Sequence, residues 1–340
     1  MQRILQPGEI EALDRTAFPR IRLPHAASLF KDRANRLRQL AEGSPLDGFL
    51  RYVAKLMDAQ HEVARGLPPA PPVDAGTIDR AQRHAMPLWQ LPAALPPGWQ
   101  QALQQLLAIM RDAPETQPLQ RQHIDELAGM DERALLQLID AVLMGAPLQE
   151  TRRIKAPFVM AAVQVVMTAR AEQLDLKQLP YVDPPTVCPV CSSQPVASVV
   201  RIDGQSAGLR YLHCAICATE WHMVRVKCSN CASTKGISYR RMDLHDDTRE
   251  DSESAVAAMA ELCAACGSYR KIFDLQKDPM IEVLADDLAT LMLDLLMGEE
   301  NHARAGLNPF LYLGAGDDAD GQPLADPSGA LPVSGEVRFD

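Results

Sequence analysis

Four Cys-x-x-Cys pairs decide most of what this chain can become. All eight cysteines of the 340 residues fall between Cys188 and Cys266, as Cys188/Cys191, Cys214/Cys217, Cys228/Cys231 and Cys263/Cys266. Two residues between thiolates let one tight turn aim both sulfurs at a single ion, and two such knuckles on facing hairpins complete a tetrahedral shell. Eight ligands at four per ion imply two ions. A thioredoxin-like dithiol would need a pair opening a helix within a βαβ unit, and none of the four pairs begins a helical pattern. Disulfides would need an oxidising compartment. Glu9 and Glu11 interrupt the N-terminus, which lacks the apolar core of a secretory signal. The longest apolar stretch, residues 156–167, contains Pro157 and Gln164 and falls short of the ~20 residues that span a bilayer. We therefore expect a cytoplasmic protein without a membrane span, in which structural disulfides are rare and thiols serve metals.

Between successive pairs lie 22, 10 and 31 residues. The longer gaps can each enclose a hairpin, and the shorter one suits a link between sites, so sequential pairing is favoured over interleaved pairing. The first site is then Cys188, Cys191, Cys214 and Cys217, and the second is Cys228, Cys231, Cys263 and Cys266. Zinc and a single iron both accept four thiolates, so the residues alone leave the metal open. Only Cys266 is followed by glycine, Gly267, which predicts knuckles of unequal shape. His213 and His222 flank the second pair, but the sulfur count is already complete and they read as ordinary strand residues.

The rest of the chain is arranged around this segment. Residues 1–180 carry helical periodicity: two helices over about 24–66, then 99–111, 117–128, 131–144 and 148–174, the last holding the most apolar run, Phe158 to Val163. Eight prolines between Gly66 and Gly98 predict an extended connection there. Pro184-Pro185 marks a domain boundary. Short β-branched runs follow, giving a first ribbon over 188–227 and a second over 228–277. An acidic amphipathic helix and its following segment occupy 278–314, with Pro279 at the start of the helix and Gly298 at its end, and 315–340 reads as a loose tail. The fold class is thus α+β: an N-terminal all-α domain, tandem rubredoxin-like or zinc-ribbon-like β modules, and a C-terminal helix.

Charge sharpens the picture. The formal net charge is −10. Residues 278–340 hold 13 acidic and two basic residues, whereas residues 188–241 hold seven basic and two acidic ones. That basic stretch could meet nucleic acid or an acidic partner, including the chain's own C-terminal helix. Asp286, Asp287 and Asp294 read as a charged helix face, and the acids between Asp243 and Glu253 as a solvated loop. The sequence holds no phosphate loop, no G-x-G-x-x-G, no H-E-x-x-H and no nucleophile elbow. A binding or assembly module is the expectation, not an enzyme.

Several segments together resemble the formate dehydrogenase accessory protein family, FdhE. They are Cys188-Pro189-Val190-Cys191, Tyr211 to Cys217 with Glu220-Trp221, Cys228-Ser229-Asn230-Cys231, Cys263 to Lys271, Ala285 to Leu291 through Asp294, and Gly306-Leu307-Asn308-Pro309-Phe310. The resemblance extends over nearly all of the chain before about residue 315. It implies a non-catalytic cytoplasmic factor that matures respiratory formate dehydrogenase by contacting the catalytic subunit before export. It also implies iron in both shells, one ion per site, held by all eight cysteines, with zinc as the alternative. Two other functions stand against this one: a nucleic-acid-binding ribbon protein using the basic stretch, and a redox-sensing or electron-transfer protein of rubredoxin type.

Overall fold

A computed structural model describes residues 18–241, 257–306 and 308–314. The acidic loop expected at 243–253 and the tail from 315 lie outside them.

The helical body forms where the apolar residues recur every three or four positions. Helices α1 (Ala26–Ala41) and α2 (Asp47–Arg65) pack as a pair. Between them and α4 (Trp99–Asp112) the expected extended connection contains a helix, α3 (Ala75–Arg83). The prolines sit at 68–72 and 87–97 and leave the span between them unbroken. Asp74 caps it, its side chain accepting from the Thr77 N–H at 2.8 Å. Helices α5 (Pro118–Ala128) and α6 (Glu132–Leu143) follow, then a single turn α7 (Glu150–Arg153) and α8 (Ala156–Glu172). Helix α8 is buried on nearly every side, with α2, α4 and α6 packed around it. Apolar residues on nearly all its sides require that position. Pro157 costs it nothing, because the first helical turn has no intrahelical N–H bonds to lose. Residues 150–172, longer than the 156–167 apolar stretch, reach the length and hydropathy of a membrane span, yet 78% of their most apolar window is buried inside the protein.

Among the described residues the strands form one eight-stranded sheet. The first ribbon supplies β2 (Pro195–Val200), β3 (Arg210–Cys214) and β4 (Glu220–His222); the second supplies β5 (Ile237–Arg240), β6 (Ala258–Cys263) and β7 (Ser268–Asp274). Each ribbon is antiparallel internally, and β2 joins β7 in parallel through Ser198–Ile272, Val199–Phe273 and Val200–Asp274. Strand β2 is buried along its whole length, as a central parallel strand must be. Two strands too short to show a period in the sequence complete the sheet: β1 (Ile21–Arg22) borders β4, and β8 (Ala303–Arg304) borders the start of β7.

The single C-terminal helix expected from Pro279 is two helices, α9 (Val283–Ala289) and α10 (Leu291–Glu299). Thr290 breaks it: its hydroxyl donates to the Asp286 carbonyl at 2.8 Å, competing with the helical ladder at φ −106°, ψ 36°.

Candidate metal centres

The eight cysteines gather into the two sets that sequential pairing predicts. The sulfurs of Cys188, Cys191, Cys214 and Cys217 lie within 4.8 Å of one another, as do those of Cys228, Cys231, Cys263 and Cys266. In the first set the Cys188–Cys217 and Cys191–Cys214 separations are 3.5 and 3.4 Å, and in the second Cys228–Cys266 and Cys231–Cys263 are 3.8 and 3.7 Å. A tetrahedron with metal–sulfur bonds of about 2.3 Å has edges of about 3.8 Å, so both shells fit an ion of zinc or iron size.

The knuckles owe this geometry to a shared backbone. The residue after each second cysteine is left-handed: Ser192 at φ 62°, Ala218 at 55°, Ala232 at 59° and Gly267 at 67°. Each returns its N–H to the carbonyl of the first cysteine at 2.9–3.2 Å. The unequal knuckles inferred from the lone glycine are therefore alike in backbone, and three of them place a non-glycine residue where glycine is favoured. One position further on, each knuckle carries a hydroxyl: Ser193, Thr219, Ser233 and Ser268. Three of these hydroxyls lie 3.0–3.4 Å from a cysteine sulfur. Backbone N–H groups of Ile216 and Cys217 point at the Cys214 sulfur, and those of Asn230 and Cys231 at the Cys228 sulfur, at 3.3–3.5 Å. These donors suit thiolates, whose charge they stabilise. The fourfold repeat C-x-x-C-x-[ST] is the sequence signal for these hydroxyls, which cysteine spacing alone does not carry.

Burial sets the electrostatics. It pushes the Cys188 and Cys214 thiols up. It opposes ionisation of Cys191 as well, but hydrogen bonds with Cys188, Cys214, Cys217 and Ser193 outweigh it and take that thiol well below its usual range. In the second shell burial pushes Cys228 up to about 12, while Cys266 falls to about 6 because hydrogen bonds from Ser268, Cys231 and Cys263 overcome its lesser burial. An ion entering either shell would have to displace the remaining thiol protons, since sulfur binds a metal as thiolate.

His213 and His222 remain outside both shells. The His213 ring meets Glu220 at 3.0 Å, and the His222 ring tilts against Phe18 at 4.5 Å between centroids. The charged face expected at Asp286, Asp287 and Asp294 is not a solvated one. Asp286 and Asp287 are buried, Asp286 against Arg36, and Asp287 against Arg304 and Lys271. The basic surface also shrinks: Arg210 is fully buried against Glu261 at 2.7 Å, and Arg201 pairs with the buried Glu220. Arg225, Lys235, Arg240 and Arg241 remain exposed, Arg240 lying 3.5 Å from Glu300 at the end of α10.

A helical body joined to one sheet that closes two four-thiol shells defines a double-ribbon protein. Family models described as FdhE N-terminal, FdhE central domain and FdhE C-terminal domain match residues 18–183, 187–225 and 226–311. The chain belongs to the FdhE family. A protein FdhE homolog of Cronobacter sakazakii is 38% identical over 319 residues, covering 93% of this chain and 99% of the relative. Protein FdhE of Salmonella paratyphi B is 37% identical over the same length and coverage. The crystal structure of the FdhE protein from Pseudomonas aeruginosa superposes with a TM-score of 0.75 at 32% identity, covering 86% of this chain and 98% of that one.

Proposed function

We propose that the chain is a non-catalytic accessory protein for maturation of respiratory formate dehydrogenase, binding the catalytic subunit in the cytoplasm before export. Each shell holds one ion, which we assign as iron. The observation that supports this most directly is the pair of four-thiol clusters in a chain of the FdhE family. The cysteines bind the ions, the knuckle hydroxyls and N–H groups steady the thiolate charge, and the ions fix the shape of a surface on which a client can dock. Free energy of ion binding is then part of folding free energy.

A tagged full-length chain is expected to retain the formate dehydrogenase catalytic subunit from a mixture of purified proteins, and the recovered complex to contain two equivalents of iron by elemental analysis. Loss of both ions with unchanged client retention would show that the shells do not shape the docking surface. Failure of the fully loaded protein to retain the catalytic subunit would remove the assignment. The nucleic-acid reading predicts affinity that falls steeply with salt; with Arg201 and Arg210 turned inward, we expect no retention of DNA or RNA even at low salt.

A further inference from the structure

The two shells share a backbone and differ in what covers them. Between the cysteines of the first shell stand Pro189, Val190, Ala215 and Ile216, all buried. The helical body hydrogen-bonds both of these turns. The N–H groups of Leu88 and Trp89 donate to the carbonyls of Pro189 and Val190, each at 2.9 Å. On the other turn, the Gln164 side chain on α8 donates to the Ala215 carbonyl at 2.7 Å, and Gln60 on α2 supports it by donating to the Gln164 oxygen at 2.9 Å. All four sulfurs of this shell are enclosed. In the second shell, Asn230, Ala264 and Ala265 at the knuckle tips are exposed, and so are two of the ligands, Cys231 and Cys266.

Covering of this kind controls ligand exchange, because a competing donor must reach the metal before a sulfur can leave. We propose that the second shell is an exchange site, open to thiols and chelators through Cys231 and Cys266, and that the first is a closed lock which keeps its ion for as long as the helical body stays seated on the Cys188 and Cys214 knuckles. In the exchange step a lone pair of the incoming donor forms a bond to the ion as the bond to Cys231 or Cys266 breaks. The released thiolate takes a proton from water or is captured by an alkylating reagent. Release from the first shell requires Leu88, Trp89 and Gln164 to let go of the knuckles first, a local opening that costs free energy. The inference rests on the reading of both shells as metal sites.

The test uses the full-length, metal-loaded protein with two probes: a chromogenic chelator to follow release, and N-ethylmaleimide with peptide mass spectrometry to locate freed thiols. We expect two phases, one equivalent leaving at least tenfold faster than the other. The cysteines modified in the fast phase are Cys228, Cys231, Cys263 and Cys266, and the other four stay protected. The Gln164→Leu variant is expected to speed the slow phase and leave the fast one unchanged. Release of both equivalents at one rate, or alkylation reaching Cys188, Cys191, Cys214 and Cys217 first, would overturn the proposal while leaving two metal sites in place. A protein that binds fewer than two equivalents would overturn the two-metal reading itself.

Discussion

Asp287 shows how little the charge of a residue says about its place. In the sequence it stands in an Asp-Asp pair on an apolar-striped helix, the usual mark of a solvated face. In the fold it is fully buried, its carboxylate accepting from Arg304 at 2.7 and 2.6 Å and from the Asn308 amide at 3.0 Å, with Lys271 Nζ 3.4 Å away. Arg304 and Lys271 also reach Asp294, at 2.5 and 2.6 Å, and the Tyr269 hydroxyl donates to it at 2.7 Å. These partners come from β7, from β8 and, with Asn308, from the segment after β8, and no spacing within the helix announces them. Asp287→Asn keeps the shape and removes the charge, leaving two buried cations short of an anion. We expect a loss of about 3 to 5 kcal/mol, read from the urea midpoint at neutral pH. Burial opposes ionisation of Asp287, but Arg304 and Lys271 outweigh it and hold the carboxyl below its ordinary 3.8. A depressed carboxyl contributes stability above its unfolded value and loses it as pH falls through the folded one. The urea midpoint of the unaltered protein should therefore fall below pH ~4 more steeply than that of Asp287→Asn.

Among the elements, the helices and strands were readable because their periods are local. Residues 99–111 and 131–144 predict α4 and α6 almost to the residue, and the runs beside the cysteines predict β2 to β7. What escaped was set by single side chains acting on the backbone: Asp74, which starts a helix among prolines, and Thr290, which splits one. The knuckles escaped for a different reason, a bond within the backbone itself. A lone glycine in four turns suggested unlike geometry, whereas the hydrogen-bond ring from the first cysteine to the residue after the second forces all four into the left-handed region. The strain at Ala218 and Ala232 is of order 1 kcal/mol each, since a left-handed conformation brings Cβ against the backbone. Gly267 has open space where a Cβ would stand, so Gly267→Ala adds strain without a clash. It should lower stability by about 1 kcal/mol, and Ala232→Gly should raise it by about half that once the freer unfolded chain is counted. Thermal unfolding of the metal-loaded variants checks both signs. Equal shifts in the same direction would show that the knuckle backbone is not what distinguishes the two positions.

Across the chain as a whole, composition revealed a helical part and a cysteine-rich part but not how they hold together. The seam is made of pairs far apart in sequence, which no local pattern encodes. Helix α1 meets α9 and the turn before it through Arg36, whose guanidinium lies 2.5 Å from Asp278 and 2.6 Å from Asp286, and through Arg33, 2.9 Å from Glu282. The same C-terminal segment supplies Asp287 to the sheet, so α9 carries one carboxylate toward the helical body and the next toward β7 and β8. The adjacent aspartates are a two-sided joint, and that accounts for burying so much charge on one short helix. Arg36→Met keeps most of the buried stem and removes the cation from between two buried carboxylates. It should cost about 3 kcal/mol or more, against less than about 0.5 kcal/mol for Arg51→Met, which breaks only the exposed pair with Asp47. The location of the damage separates a joint from a general loss of stability. In hydrogen exchange followed peptide by peptide, Arg36→Met should raise exchange first in α1 and in residues 278–289, while α8 keeps its protection until global unfolding. Uniform loss across α8 and the sheet at the same denaturant concentration would mean that the Arg36 cluster is one more part of a single core, and that the body and sheet unfold as a unit.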